Sequence, residues 1–103
     1  MTIMNKALFE EMINGSQPVL VEFWAPWCVY CRRIAPALEK VAEERTNQLP
    51  VAQINIDEEP LVAEREQIEV IPTLVLYHKG KALGFAVAPE SKAKIEELIA
   101  QNV

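Results

Sequence analysis

The segment that most restricts the fold is a run of six residues, Val19–Trp24, with the sequence VLVEFW. A strand with one face in water alternates apolar and polar residues, whereas apolar residues at consecutive positions are typical of a strand buried on both faces. Such a strand needs helices on both sides of its sheet. Glu22 is the one charged residue in the run, and the predicted fold alone does not explain it.

The remaining elements follow from hydrophobic spacing. Helical periodicity predicts four helices, over about 5–14, from the cysteines to about 45, over 60–67, and after Ser91 as the N-cap of the last one. Strands are predicted over 19–24, 51–56, 73–77 and 81–87. Strands separated by helices are expected to be parallel with right-handed crossovers, and the last two strands form an antiparallel hairpin. The predicted fold class is α/β, with a central mixed sheet of four to five strands flanked by helices on both faces. A fifth strand has only Thr2 and Ile3 available.

Length and charge exclude several classes of function. The 103 residues suit a single domain, 1–103, and the formal net charge of −5 argues against binding to nucleic acid or to an anionic membrane. No apolar stretch approaches the roughly 20 residues that cross a bilayer. The first residues, MTIMNKALFEEM, lack the order of a secretion signal. We therefore expect a cytoplasmic monomer that binds neither nucleic acid nor membrane.

Two cysteines, Cys28 and Cys31, stand where the buried strand ends and a helix begins. Unpaired N–H groups and the helix dipole stabilise a negative charge at that point, so we expect the pKa of Cys28 to fall below the ordinary value of about 8.5. Cys31, one turn further along, is expected to be more buried and to keep its proton. Disulfide exchange requires such a pair, an exposed thiolate that attacks and a second thiol that resolves the mixed disulfide.

Other roles for the cysteine pair remain open at this point. Structural zinc takes four ligands, largely from Cys and His, and this chain offers only Cys28, Cys31 and His78. A zinc clip would therefore need two chains, and we expect no metal. A C-x-x-C pair within a βαβ pattern favours redox chemistry over metal binding. The third interpretation is a redox-silent protein-binding module whose cysteines pack as small apolar residues.

Four segments carry a family resemblance that runs nearly from end to end: Val21–Cys28, Ile34–Pro36, Ile54–Asp57 and Ile71–Leu74. With these segments the chain resembles the thioredoxin family. The resemblance implies the thioredoxin fold and an enzyme that reduces protein disulfides through a reversible Cys28–Cys31 disulfide. It also implies no bound cofactor, disulfide-containing proteins as substrates, and thioredoxin reductase as the electron donor.

The substrate site also follows from the resemblance. Pro72, expected to be cis, holds an extended backbone edge on which a substrate strand pairs beside Cys28. The residues expected to contact substrate are Trp27, Val29, Tyr30, Ile71, Pro72 and Ala88. Ala88 stands where the family has glycine, and its methyl group is expected to narrow the groove.

Between the cysteines, Val29 and Tyr30 replace the Gly-Pro that thioredoxins usually carry. Without the proline the start of the helix is less rigid, so we predict a more oxidising potential than the roughly −270 mV of thioredoxin. This keeps a glutaredoxin-like or disulfide-isomerase-like exchange open as an alternative. The Tyr30 ring is expected either to shield the site or to contact substrate.

Glu22 stands where the family commonly has Asp, and Gln53 where a Lys is common. A carboxyl buried without a cationic partner has a raised pKa, because desolvation penalises its charged form. Such a group suits a general base that takes the proton from Cys31, through water. The alternative is a Glu22 side chain that reaches the sheet edge and takes no part in catalysis.

Overall fold

The computed structural model describes all 103 residues, as five strands and four helices. The strands are β1 (Thr2–Met4), β2 (Val19–Trp24), β3 (Val51–Asn55), β4 (Thr73–His78) and β5 (Lys81–Val87). The helices are α1 (Lys6–Ile13), α2 (Val29–Glu44), α3 (Pro60–Arg65) and α4 (Lys92–Asn102). The strands form one sheet in the order β1-β3-β2-β4-β5, so the apolar run occupies the centre of the sheet.

Alternate residues of β2 enter two different cores. Phe23 packs with Phe9 of α1 and Val62 of α3 on one face of the sheet. Leu20 packs with Leu38 of α2 and with residues of α4 on the other face. Helices therefore cover both faces, and this confirms the predicted α/β class. The fifth strand, uncertain from the sequence, is β1, which pairs in parallel with β3.

Local sequence signals explain where the helices begin. The Asn5 side chain accepts the Leu8 N–H at 2.8 Å, and Ser91 accepts the Lys94 N–H at 3.3 Å, as N-caps do. Pro60 occupies the first position of α3, where its missing N–H costs nothing. None of the four helices has the length and apolar composition needed to cross a membrane.

The direction of β4 corrects the sequence prediction. β3 is parallel to β2, but β4 is antiparallel to β2, although a helix separates β3 from β4. At 1.5 Å per residue, the six residues of α3 span about 9 Å, whereas a five-residue strand such as β3 spans about 17 Å. The helix by itself therefore does not carry the chain back to the edge where β3 began. β4 therefore starts from the edge where β3 ended.

Candidate active site

Cys28 and Cys31 are joined by a disulfide at the junction between β2 and α2. Cys28 is the N-cap of α2, and its Sγ accepts the N–H of Cys31 at 3.1 Å. The backbone dipole at the helix start therefore acts on the Cys28 sulfur, as the sequence predicted. An N–H aimed at a sulfur stabilises negative charge on it when the disulfide opens.

Exposure does not distinguish the two cysteines in the disulfide form. Their relative exposures are 6% for Cys28 and 4% for Cys31, so the prediction of an exposed Cys28 beside a more buried Cys31 is wrong for this state. Both side chains belong to one apolar cluster with Ala25. Their surroundings differ instead, because the Cys28 Sγ receives the helix N–H and lies 3.9 Å from the Ile71 carbonyl oxygen.

The loop before β4 forms the wall opposite the disulfide. Its Ile71–Pro72 peptide bond is cis, which confirms the expectation from the family resemblance, and the Pro72 carbonyl accepts the Ala88 N–H at 2.8 Å. Ala88 has a φ of +45°, in the left-handed region that glycine adopts most easily. The alanine therefore takes a conformation disfavoured for residues with a Cβ, at the position where the family has glycine.

Tyr30 connects the active-site helix to the segment that follows β5. Its hydroxyl donates to the Pro89 carbonyl at 3.3 Å, and its half-buried ring packs against the cluster of Cys28 and Cys31. The Arg33 guanidinium lies 5.8 Å from the ring centre. Of the two roles expected for this ring, its packing favours shielding of the disulfide.

Trp27 and Val29 form the exposed side of the site, with relative exposures of 62% and 61%. The Trp27 indole N–H donates to the Asp57 carboxylate at 2.8 Å, which fixes the ring although it is exposed. We assigned no role to Asp57 from the sequence. It follows the end of β3, and β3 is parallel to β2, so the order of elements already placed Asp57 at the same sheet edge as Trp27.

Glu22 is the one buried carboxyl of the chain. It is 2% exposed, so the alternative in which it reaches the sheet edge is wrong. The Gln53 amide donates to Oε1 at 2.9 Å, and Oε2 has no hydrogen-bond partner. Burial raises the pKa of Glu22 to about 7, and the Gln53 hydrogen bond opposes that rise only in part. With no lysine beside it, the carboxyl can be protonated or ionised near neutral pH.

Glu22 and Cys31 belong to elements that pack on the same side of the sheet. Glu22 is two residues from Leu20 along β2, so both side chains point to the same face of the sheet, and Leu20 packs against α2, the helix that carries Cys31. No three His, Cys, Asp or Glu side chains are grouped so that they could hold a metal ion. A disulfide at the start of a helix is typical of one class of protein, the dithiol–disulfide oxidoreductases, whose redox centre is the disulfide itself.

Comparison with known proteins identifies the family. The Thioredoxin family model matches residues 1–101, so the chain belongs to the thioredoxin family. It is 39% identical over 94 residues to the thioredoxin of Alicyclobacillus acidocaldarius subsp. acidocaldarius, covering 91% of this chain and 90% of that protein. It is 45% identical over 85 residues to the thioredoxin of Acidithiobacillus ferridurans, covering 82% and 79%. The protein is a protein-disulfide oxidoreductase that acts through a reversible Cys28–Cys31 disulfide.

A further relative is the bifunctional thioredoxin reductase/thioredoxin of Mycobacterium leprae. It is 37% identical over 93 residues, which cover 90% of this chain and 20% of that protein. A segment similar to this chain is thus joined, in that organism, to a reductase.

Proposed function

We propose that Cys28 is the attacking sulfur and Cys31 the resolving sulfur in the reduction of protein disulfides. The Cys28 thiolate attacks one sulfur of the substrate, and the other substrate sulfur leaves as a thiolate. Cys31 then loses its proton and attacks the Cys28 sulfur of the mixed disulfide, which releases the second substrate thiolate. Two electrons pass from the enzyme to the substrate. The observation that carries this assignment is the Cys31 N–H directed at the Cys28 Sγ, which selects one sulfur for negative charge.

Glu22 acts as the base in the second step. Its pKa of about 7 makes it an effective proton acceptor at neutral pH, and its unpartnered Oε2 is free to receive a proton. Water carries the proton from Cys31 to the carboxylate. When the substrate has left, the proton passes from Glu22 to solvent and the cycle can repeat.

The substrate lies across the groove beside the disulfide. Trp27 and Val29 expose apolar surface on one side of it, and the Ile71–Pro72 backbone and Ala88 form the other side. Tyr30 closes the groove next to the disulfide, through its contact with the Pro89 carbonyl. An extended substrate segment pairs its backbone with the loop before β4, which brings a substrate sulfur to Cys28.

The electron donor is a thioredoxin reductase, and the chain works as a one-domain monomer in cytoplasmic redox homeostasis. The reductase part of the Mycobacterium leprae relative supports this choice of donor.

Insulin reduction, followed as turbidity, tests the choice of electron donor. One assay contains NADPH and thioredoxin reductase, and the other contains NADPH, glutathione and glutathione reductase. We expect reduction with the thioredoxin reductase. Reduction only in the glutathione assay would identify a glutaredoxin-like enzyme. A protein that does not accelerate insulin reduction beyond the rate of dithiothreitol alone would be a redox-silent binding module.

The redox potential of the Cys28–Cys31 pair is expected to be more oxidising than the roughly −270 mV of thioredoxin. Val29 and Tyr30 stand where proline would otherwise hold the start of α2. A less rigid dithiol form has more conformational freedom, which favours reduction of the disulfide. Equilibration with glutathione at known ratios measures the potential, and a Val29→Gly, Tyr30→Pro double variant is the matched control. A wild-type value at or below that of the double variant would reject this expectation.

A further inference from the structure

We propose that an apolar groove between β5 and the segment before β4 is a second substrate subsite, which binds an apolar side chain of the protein segment whose disulfide is reduced. The inference rests on the function proposed above and names the class of substrate that the site prefers. The groove, here called the β5 groove, has a volume of about 400 Å³. Its apolar lining consists mainly of Ile68, Val70, Val75, Tyr77, Phe85 and Val87.

The β5 groove carries three large apolar side chains that meet water. Phe85 is 69% exposed, Val70 is 51% exposed and Val87 is 48% exposed. Phe85 lies opposite Val75 and Val87 lies opposite Thr73, so these two exposed side chains of β5 share one face of the sheet. Single exposed apolar residues are common, but several around one concave surface indicate a binding site.

The β5 groove is continuous with the substrate site at the disulfide. Val70 precedes Ile71, whose carbonyl oxygen lies 3.9 Å from the Cys28 Sγ. Val87 precedes Ala88, which is hydrogen-bonded to Pro72. Phe85 lies two residues before Val87 in β5, which places it about 7 Å from Val87, on the side away from Ala88. A substrate segment held against the loop before β4 would therefore reach the groove a few residues from its own cysteine.

The size of the β5 groove favours a substrate segment over a second copy of this chain. Eleven residues line it, whereas a stable protein–protein interface takes about 20–30 residues from each partner. Its volume is at the lower end of the range for ligand pockets, about 300–1,000 Å³. The groove thus has room for one or two apolar side chains, and its proximity to Cys28 makes an extended substrate segment the occupant.

A pair of peptides tests this subsite. Each peptide has one cysteine, which forms a mixed disulfide with thionitrobenzoate. The release of thionitrobenzoate is followed by its colour. One peptide has leucine, and the other has serine, at the second to fourth residues on both sides of the cysteine. We expect reduced wild-type protein to react about tenfold faster with the leucine peptide. Phe85→Ser is expected to lower this preference to less than twofold, and Val70→Ser to lower it in part.

Leu61→Ser provides the matched control, because Leu61 is 71% exposed on α3 and does not line the β5 groove. It should retain the tenfold preference. The inference is overturned if the wild-type protein shows no preference, if Phe85→Ser keeps it, or if Leu61→Ser loses it as well. If the wild-type protein releases no thionitrobenzoate from either peptide, the proposed function itself has failed, and this inference with it.

Discussion

Cys28→Ser is expected to lower the rate of insulin reduction by more than about 1,000-fold, because the variant has no thiolate to attack the substrate disulfide. A serine hydroxyl at the start of α2 can still accept the Cys31 N–H, as N-cap serines do. The fold should therefore be kept while the chemistry is lost. Turbidity with NADPH and thioredoxin reductase as the source of electrons measures the rate, because dithiothreitol also reduces insulin without the protein, and circular dichroism checks the fold.

Cys31→Ser is the matched variant for the second step. It retains the attacking sulfur and lacks the resolving one, so we expect one round of attack followed by a stable mixed disulfide with the substrate. Mass spectrometry of the protein after mixing with a disulfide substrate detects this adduct. An adduct on Cys28→Ser and none on Cys31→Ser would contradict the proposal, because it would exchange the roles of the two sulfurs.

Glu22→Gln is expected to stabilise the protein at pH 8 by about 3 kcal/mol and to change little at pH 4. The pKa of Glu22 is about 7 in the folded protein and 4.5 ordinarily, so between these values the folded state holds a proton that the unfolded state has lost. The stability that Glu22 contributes is thus complete below pH 4.5 and is lost as the pH rises to 7. The glutamine amide is neutral at both pH values, so no buried charge destabilises the variant at pH 8, and the amide can still form a hydrogen bond with Gln53.

Urea unfolding of the oxidised protein at pH 4 and pH 8 measures the difference in stability. Glu43→Gln is the control, because Glu43 is exposed on α2 and should give the same small change at both values of pH. Equal stability changes at the two pH values for Glu22→Gln would show that Glu22 does not take up a proton on folding.

The same variant addresses the proposed base. If Glu22 accepts the Cys31 proton, Glu22→Gln should slow release of the substrate from the mixed disulfide by about 100-fold at pH 7.5. Attack by Cys28 should be unaffected, because Cys28 does not depend on this proton transfer. A resolving step with unchanged rate across neutral pH would remove Glu22 from the mechanism without affecting the roles of the cysteines.

The sequence predicted the position of the two cysteines, but it predicted only part of the substrate groove and none of the β5 groove. Trp27, Val29 and Pro72 were expected in the substrate groove from the family resemblance, and the cis bond at Pro72 confirms one part of that expectation. Phe85 and Val70 gave no signal, because an apolar residue in a predicted strand or loop is most simply assigned to the core. Their exposure depends on which elements leave them uncovered, and the sequence does not contain that information locally.

The sequence by itself determined the features that depend on neighbouring residues. The apolar run of β2 predicted a central strand covered on both faces, and the position of Cys28 and Cys31 after it predicted a sulfur at a helix start. These follow from side-chain periodicity and from the unpaired N–H groups of a helix end, which act within a few residues.

The tertiary structure alone decided which distant segments meet. It set β4 antiparallel to β2, buried both cysteines, joined Tyr30 to Pro89, and left the Glu22 carboxyl with Gln53 as its one hydrogen-bond partner. Each of these depends on contacts between residues far apart in the chain, and periodicity shows that a residue is buried without showing what it is buried against. The position of the disulfide is therefore encoded locally, whereas the protonation of Glu22 and the shape of the groove are set by the packing of the whole fold.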